Sequence, residues 1–156
     1  MTADTGLPED ASAQFLAGII YAYQKQEFDH RDYILGCSYQ RDSLDERLVK
    51  MYENYDAGND GAAFFNFIQS LFYYQCTMKH CTDTYGIIKD IADDLFEFFD
   101  EDNWWETYQA RYEENKELVD DQMANYLKTW DEGVYFNAGM FYGRVWNVLV
   151  FYGTIV

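Results

Sequence analysis

The position of the only proline constrains the fold of this chain more than any other feature. Pro8 lies near the start of the 156 residues, and no later residue removes a backbone donor as proline does, so long helices are permitted throughout. Turn residues cluster at 56–61, but no low-complexity run or linker divides the chain, and its length suits one domain. We therefore predict an all-α protein with a flexible N-terminus over residues 1–11 and a single compact bundle of about six helices over residues 12–156.

The recurrence of hydrophobic residues at spacings of three and four predicts where the helices lie. The first two are expected over residues 12–28 and 29–55, and the third begins with Asp60 as its cap. The fifth is expected to be one long helix over residues 102–133, and the sixth to cover residues 135–152. The apolar stripes of the third and fourth helices are Phe65, Ile68, Phe72, Cys76 and Ile88, Ile91, Leu95, Phe98.

Two helices share a pattern of small residues four apart. These residues are Gly18 and Ala22 in the first helix and Gly139 and Gly143 in the last, and each pair follows a phenylalanine by three positions. Glycine inside a helix costs up to about 1 kcal/mol relative to alanine, so such a pattern needs a compensating contact. We predict that the terminal helices pack against each other through these small-residue grooves. The alternative is that one groove accommodates a bulky Trp or Tyr from elsewhere.

The chain is strongly acidic, with 28 Asp and Glu against 11 Lys and Arg and a formal net charge of -17. Such a surface repels phosphate, which disfavours nucleic acid and anionic membrane faces, and it attracts cations and basic protein patches. No apolar run approaches the roughly 18 residues that span a bilayer. We expect no nucleic-acid partner and no membrane span.

The acids are concentrated in one stretch of the chain. Thirteen of them lie between Asp90 and Asp121, opposed only by Arg111 and Lys116. Like charges one helical turn apart destabilise a helix, so bound cations would relieve them. We predict weak, diffuse calcium binding and no other cofactor; the alternative is a solvated acidic face. The candidate ligands are Asp93, Asp94, Glu97, Asp100 and Asp102.

The cysteines and histidines favour structural roles over catalytic ones. In an oxidising compartment we expect Cys37 to pair with Cys81, which leaves Cys76 as a free or intermolecular thiol; in a reducing compartment all three remain thiols. His80 and Cys81 are adjacent and diverge on a helix, so they do not form a nucleophile–base pair. No Gly-rich phosphate loop follows a strand. The sequence therefore predicts a protein without enzymatic activity.

Aromatic residues make up 20% of the chain, with 12 Phe, 4 Trp and 15 Tyr. Clusters of adjacent rings exceed what one face of each helix can bury, so some rings are expected at a surface that contacts a partner or ligand. The alternative is that the bundle buries nearly all of them. The predicted interface aromatics are Tyr73, Tyr74, Trp104, Trp105, Phe151 and Tyr152.

Several motifs in a fixed order resemble a known family. A Phe-x-x-Gly motif opens the first helix at Phe15, Cys37 lies in the second helix, Cys81 precedes an Ile-rich acidic helix, and residues 131–143 run from an acidic-Gly-aromatic turn into a helix with two glycines four apart. In these features the chain is similar to the small, acidic, helical secreted proteins that ciliates encode in many copies. The resemblance implies that Cys37 and Cys81 are paired and that Cys76 is an addition. The absence of a signal peptide departs from the family pattern.

Together these observations predict a non-enzymatic structural or packaging protein, secreted or stored in granules as a mature form. It is expected to act by self-association or by binding a protein partner through its aromatic surface, with calcium as a modulator. Two alternatives stay open. One is a carrier of a small apolar ligand or lipid within an aromatic helical core, and the other is an accessory subunit of a larger mitochondrial complex.

Overall fold

The computed structural model describes residues 6–24, 41–78 and 82–151. These ranges contain seven α-helices and a final π-helical turn and no strand, so the predicted all-α bundle is confirmed. The bounds are Ala11–Tyr23 (α1), Arg41–Asp56 (α2), Asp60–Met78 (α3), Thr82–Asp100 (α4), Trp104–Glu114 (α5), Lys116–Asp131 (α6), Tyr135–Trp146 (α7) and Asn147–Phe151 (the π-helical turn). The predicted helical residues 25–40 and 152 lie outside the described ranges.

The first and last α-helices cross closely, as the small-residue pattern predicts. A side chain added at Gly18 would overlap the carbonyl oxygen of Phe136, and one added at Gly139 would overlap the carbonyl oxygen of Phe15. The backbones of α1 and α7 therefore touch at positions where only glycine leaves room. The predicted crossing is confirmed.

A second contact between the ends of the chain lies one turn further along α7. Gly143 faces Ala22, and a Cβ added to the glycine would lie 2.9 Å from the alanine Cβ. Beyond it, Asn147 is buried, and its Nδ2 donates a hydrogen bond of 2.8 Å to the carbonyl oxygen of Ala22. That carbonyl lies in the last turn of α1, where backbone acceptors lack the intrahelical donors of earlier turns. The end of α1 is therefore bonded to the π-helical turn.

The core beside this crossing consists largely of aromatic rings. Phe15 of α1 contacts the rings of Trp130, Tyr126 and Tyr142, with centroids 5.4, 6.0 and 6.1 Å from its own, respectively. Tyr142 also meets Phe67 of α3 edge to face at 4.9 Å. Aromatic pairs in such geometries add about 0.5–1.5 kcal/mol beyond the area they bury. Four helices, α1, α3, α6 and α7, meet at these rings.

The prediction of one long fifth helix is wrong, because α5 and α6 are separate helices that meet at Asn115. The Asn115 side-chain amide donates a hydrogen bond of 2.9 Å to the carbonyl oxygen of Arg111, and its backbone has φ -124° and ψ 22°. An Asn side chain that bonds to the preceding turn competes with the helical backbone bonds, so the helix is interrupted there. None of the α5 side chains is fully buried. The buried residues of α6 are Val119, Tyr126 and Trp130.

The apolar stripe predicted for the third helix is not the buried face of α3. Phe65 and Phe72 are exposed and Ile68 is only partly buried, while the side chain of Cys76 lies outside the described part of the chain. The segment Gly61–Met78 holds no charged residue, so both faces of α3 are apolar enough to be buried and the hydrophobic period cannot choose between them. The residues that face the core are Ala63, Phe67, Ser70, Leu71 and Tyr74.

The substitution Gly139→Ala tests the crossing. Because the new methyl group would overlap the Phe15 carbonyl, which is backbone, the helices must separate, and we expect the free energy of unfolding to fall by at least about 2 kcal/mol. The matched control is Gly86→Ala in α4, where an added Cβ meets nothing within 4 Å and alanine should raise stability by up to about 1 kcal/mol. Urea unfolding followed by circular dichroism measures both. Equal midpoints for the two variants would contradict a close crossing.

Candidate interaction surface

Three large aromatic side chains on α3 and α4 are exposed to solvent. Phe65 of α3 is 62% exposed, Phe72 of α3 is 49% exposed and Phe96 of α4 is 46% exposed. The ring centroids of Phe72 and Phe96 lie 5.9 Å apart, and Ile68 lies with them in the groove between the two helices. We call these four side chains the α3–α4 surface. Burying apolar surface is worth about 25 cal/mol per Å², so a contiguous patch of this kind favours association.

Buried contacts fix the orientation of this surface. On the opposite side of α3, Tyr74 is buried and donates a hydrogen bond of 2.7 Å from its hydroxyl to the carbonyl oxygen of Ser12 in α1. With Tyr74 held there, Phe65 and Phe72 point away from the core, since they lie on the other face of the same helix. The floor of the groove is formed by the buried residues Leu71, Ala92 and Leu95.

The two sides of the groove differ in charge. The α3 side belongs to the uncharged segment, whereas α4 carries six acids and a single base, Lys89. Asp93 and Asp100 lie three residues before and four residues after Phe96, so they share its side of α4, and both are exposed. Lys89 Nζ lies 2.7 Å from Asp93 Oδ2, but more than half of each side chain is exposed, so solvent screens the pair. The surface is therefore apolar along α3 and acidic along α4.

A second aromatic cluster lies at the start of α5. Trp105 is 50% exposed and stacks on Tyr108, with an interplanar angle of 8°. Trp104 is partly buried and meets Phe99 of α4 edge to face, with centroids 4.9 Å apart. Trp104 therefore packs against α4 while Trp105 is half-exposed, and the two rings meet edge to face with centroids 5.5 Å apart.

The other predicted interface aromatics are placed differently. Tyr74 is buried against α1, so its assignment to an interface is corrected: the rotation of α3 puts it on the core face. Tyr73 is partly buried, and the Arg47 guanidinium carbon lies 5.9 Å from its ring centroid. Phe151 is partly buried in the π-helical turn. Tyr152 lies outside the described residues.

The predicted calcium ligands do not form a cluster. Asp93 pairs with Lys89, and Asp94 accepts a hydrogen bond of 2.6 Å from the Tyr23 hydroxyl. Within the ranges that the structure describes, no group of three or more His, Cys, Asp or Glu side chains is arranged to hold a metal ion. Diffuse calcium binding therefore stays a prediction. The remaining candidates, all exposed, are Glu97, Asp100 and Asp102.

An open acidic cleft lies where α4 passes the π-helical turn. Its volume is about 370 Å³. Arg111 of α5 closes one side of this region: its Nη1 donates hydrogen bonds of 3.0 Å to the carbonyl oxygens of Leu149 and Val150, and its guanidinium lies over the Phe98 ring. The residues that line the cleft are Asp94, Glu97, Phe98, Glu101, Val150 and Phe151.

The thiols fall in parts of the chain that the structure leaves undescribed. Cys37 and Cys81 lie outside the described residues, and the side chain of Cys76 is not described. The predicted pairing of Cys37 with Cys81 therefore stays a prediction.

Three tyrosines form a cluster in which Tyr126 and Tyr142 are fully buried and Tyr55 is partly buried against them. The rings of Tyr55, Tyr126 and Tyr142 lie 5.2–5.9 Å apart between centroids, and the Tyr55 and Tyr142 hydroxyl oxygens share a hydrogen bond of 2.8 Å. Burial is the main cause that raises the pKa of all three above that of an ordinary tyrosine. All three hydroxyls therefore stay protonated at neutral pH.

Comparisons with protein-family models, with curated proteins and with solved structures found no match. Across the described ranges, no helix combines the length and the apolar character needed to cross a membrane.

Phe65, Ile68 and Phe72 belong to the apolar stripe predicted for the third helix, so none of them is predicted as an interface residue. No sequence pattern points to Phe96. The signal that could have found them is the uncharged segment Gly61–Met78: a surface helix normally has a polar face, and one that lacks charge on every side has more apolar surface than one core can cover.

Alkaline titration tests the tyrosine cluster. An unfolded tyrosine ionises near pH 10, whereas the buried ones keep their protons to higher pH, so above about pH 10 the unfolded state binds fewer protons and the free energy of unfolding falls. Below that pH the contribution is constant. We expect part of the tyrosinate absorbance to appear only when the helical circular dichroism is lost cooperatively. In Tyr142→Phe this delayed part of the absorbance should be smaller. Full ionisation of a folded chain in one step near pH 10 would rule the cluster out.

Proposed function

We propose that this protein is a non-enzymatic structural or packaging protein that associates, with further copies of itself or with a protein partner, through the α3–α4 surface. The observation that carries the proposal is the exposure of Phe65, Phe72 and Phe96, three large apolar side chains of neighbouring helices, on a chain of net charge -17. Exposed apolar residues that occur singly are common on any protein, whereas a contiguous group is typical of interaction sites.

Charge regulates this association. Copies that each carry -17 repel one another, which keeps the free protein dispersed. Cations that screen or neutralise the acids lower this repulsion. In this proposal calcium acts through the exposed acids of α4 and α5 collectively, and a single coordination site is not required.

The packing of the core favours association over carriage of an apolar ligand. Tyr142 contacts the rings of Phe15, Phe67 and Tyr126 directly, with centroids 4.9–6.1 Å apart, so these rings fill the space between them. A ligand at this point would have to displace ring contacts that stabilise by about 0.5–1.5 kcal/mol each. The rings of the α3–α4 surface are already open to a partner.

The secretory part of the proposal rests on the sequence resemblance. Proteins of that family are secreted, and a disulfide between Cys37 and Cys81 would fit an oxidising compartment. A disulfide between Cys37 and Cys81 would join residues 44 positions apart in the sequence (81 minus 37), which would restrict the conformations of the unfolded chain.

Sedimentation in sodium sulfate tests the association. Sulfate screens charge and strengthens the burial of apolar surface, so we expect the wild type to assemble as sulfate is added. The double variant Phe65→Gln/Phe72→Gln should stay monomeric, since glutamine retains helix propensity and removes both rings. The matched control Leu118→Gln, which removes an exposed apolar side chain from α6, should assemble as the wild type does. A wild type that stays monomeric, or a double variant that assembles equally well, would contradict the proposal.

The oxidation state of the cysteines tests the secretory assignment. We expect the native protein to present one alkylatable thiol, at Cys76, and to yield a peptide in which Cys37 and Cys81 are linked. Reduction of that link should lower the free energy of unfolding by roughly 3–4 kcal/mol on the loop-entropy account. Mass spectrometry of the alkylated and digested protein measures the pairing. Three thiols that react without prior reduction would remove the secretory assignment.

A further inference from the structure

The dimensions of the α3–α4 surface match the apolar face of one helix. Phe65 and Phe72 are seven residues apart on α3, which corresponds to two helical turns or about 10 Å along the axis. Phe96 lies across the groove from Phe72, with Ile68 between the two helices. A helix laid along the groove would place apolar side chains at positions i, i+3 or i+4, and i+7 against these four.

The charge around the groove favours a partner of one charge sign. On α4, Asp93 and Asp100 flank Phe96, whereas α3 carries no charged side chain from Gly61 to Met78. Lys89 and Asp93 form an exposed pair that solvent screens, and six acids against one base leave α4 acidic overall. A helix whose polar face is rich in Lys and Arg would place cations beside this acidic rim.

A second copy of the chain fits the groove less well. In a two-fold pair the same surface faces itself, so one interface would contain the acidic rims of both copies, and each copy carries -17. Like charges juxtaposed at an interface oppose binding. A basic partner removes that repulsion and adds attraction.

We propose that the α3–α4 surface binds a basic amphipathic helix, with the partner's apolar side chains against Phe65, Phe72 and Phe96 and its basic side chains against the acidic rim formed by Asp93 and Asp100. This inference rests on the proposed function and names the class of partner. The α3 side supplies the apolar contact, and the α4 side supplies the preference for positive charge.

The test uses a synthetic peptide of about 18 residues, with Leu along one helical face and Lys on the other, and fluorescence anisotropy to measure its Kd for the full chain. A second peptide of the same composition, scrambled so that it has no apolar face, controls for attraction to the acidic protein alone. We expect the amphipathic peptide to bind at least about tenfold more tightly than the scrambled one.

Matched variants locate the binding site. Phe65→Gln and Phe72→Gln should each weaken binding of the amphipathic peptide by about tenfold, whereas Leu118→Gln on α6 should leave the Kd within about twofold. Asp100→Asn should weaken binding and reduce its dependence on salt more than Glu117→Gln, which removes one charge from an exposed position of α6. Circular dichroism spectra and melting curves establish that each variant is folded. Among the aromatic residues that the structure describes, Phe65 is the most exposed, so its substitution is expected to disturb the fold least.

Equal binding of the scrambled peptide, or equal losses in the α6 variants, overturns the inference because it indicates attraction to charge anywhere on the protein. Assembly of the protein alone at low salt, through Phe65 and Phe72 and in competition with the peptide, overturns the inference in favour of a second copy and leaves the proposed function standing. If Phe65→Gln/Phe72→Gln alters neither sulfate-driven assembly nor peptide binding, the proposed function fails with it.

Discussion

The contact between the backbones of α1 and α7 determines where most other parts of the structure lie. At Gly139 the absence of a side chain lets α7 reach the carbonyl oxygen of Phe15, and at Gly18 the same holds for α1 against Phe136. Phe15 takes part in both the helix crossing and the core, because its backbone forms the crossing while its ring packs in the middle of the aromatic core. A Cβ added at either glycine would separate the two helices and move the Phe15 ring away from the rings that it contacts.

The position of α1 also decides which side of α3 remains in solvent. The carbonyl oxygen of Ser12 accepts the hydrogen bond from Tyr74, and this places the core face of α3 toward α1. Phe65 and Phe72 are left outside, beside the acidic rim of α4. An apolar strip beside a row of carboxylates combines an attractive surface with a charge that repels copies of the same chain. These opposed effects are what direct our inference toward a partner that brings positive charge.

The buried face of a helix is predicted correctly where charged residues mark its outer face, and wrongly where they do not. The residues Ile88, Ile91 and Leu95 are buried as their spacing predicts, because α4 has a charged face opposite them. Between Gly61 and Met78 no charged side chain marks the outer face of α3, so hydrophobic spacing does not distinguish it from the buried face. At Asn115 the interruption of the helix depends on a side-chain bond to Arg111 that competes with the continuous helix, and helix propensity alone does not decide that competition.

The helical fold, the contact between α1 and α7 and the net negative charge follow from the amino-acid sequence, because the position of proline, the spacing of glycines and the number of charges act locally or as simple totals. Which aromatic rings are buried depends instead on how the helices pack in three dimensions. On a helix segment without charged residues, burying an aromatic ring is equally favourable on either face. Whether the ring is buried depends on which face a neighbouring helix covers. For Tyr74 that neighbour is α1, whereas Phe65 lies on the opposite side of α3 and remains in contact with water.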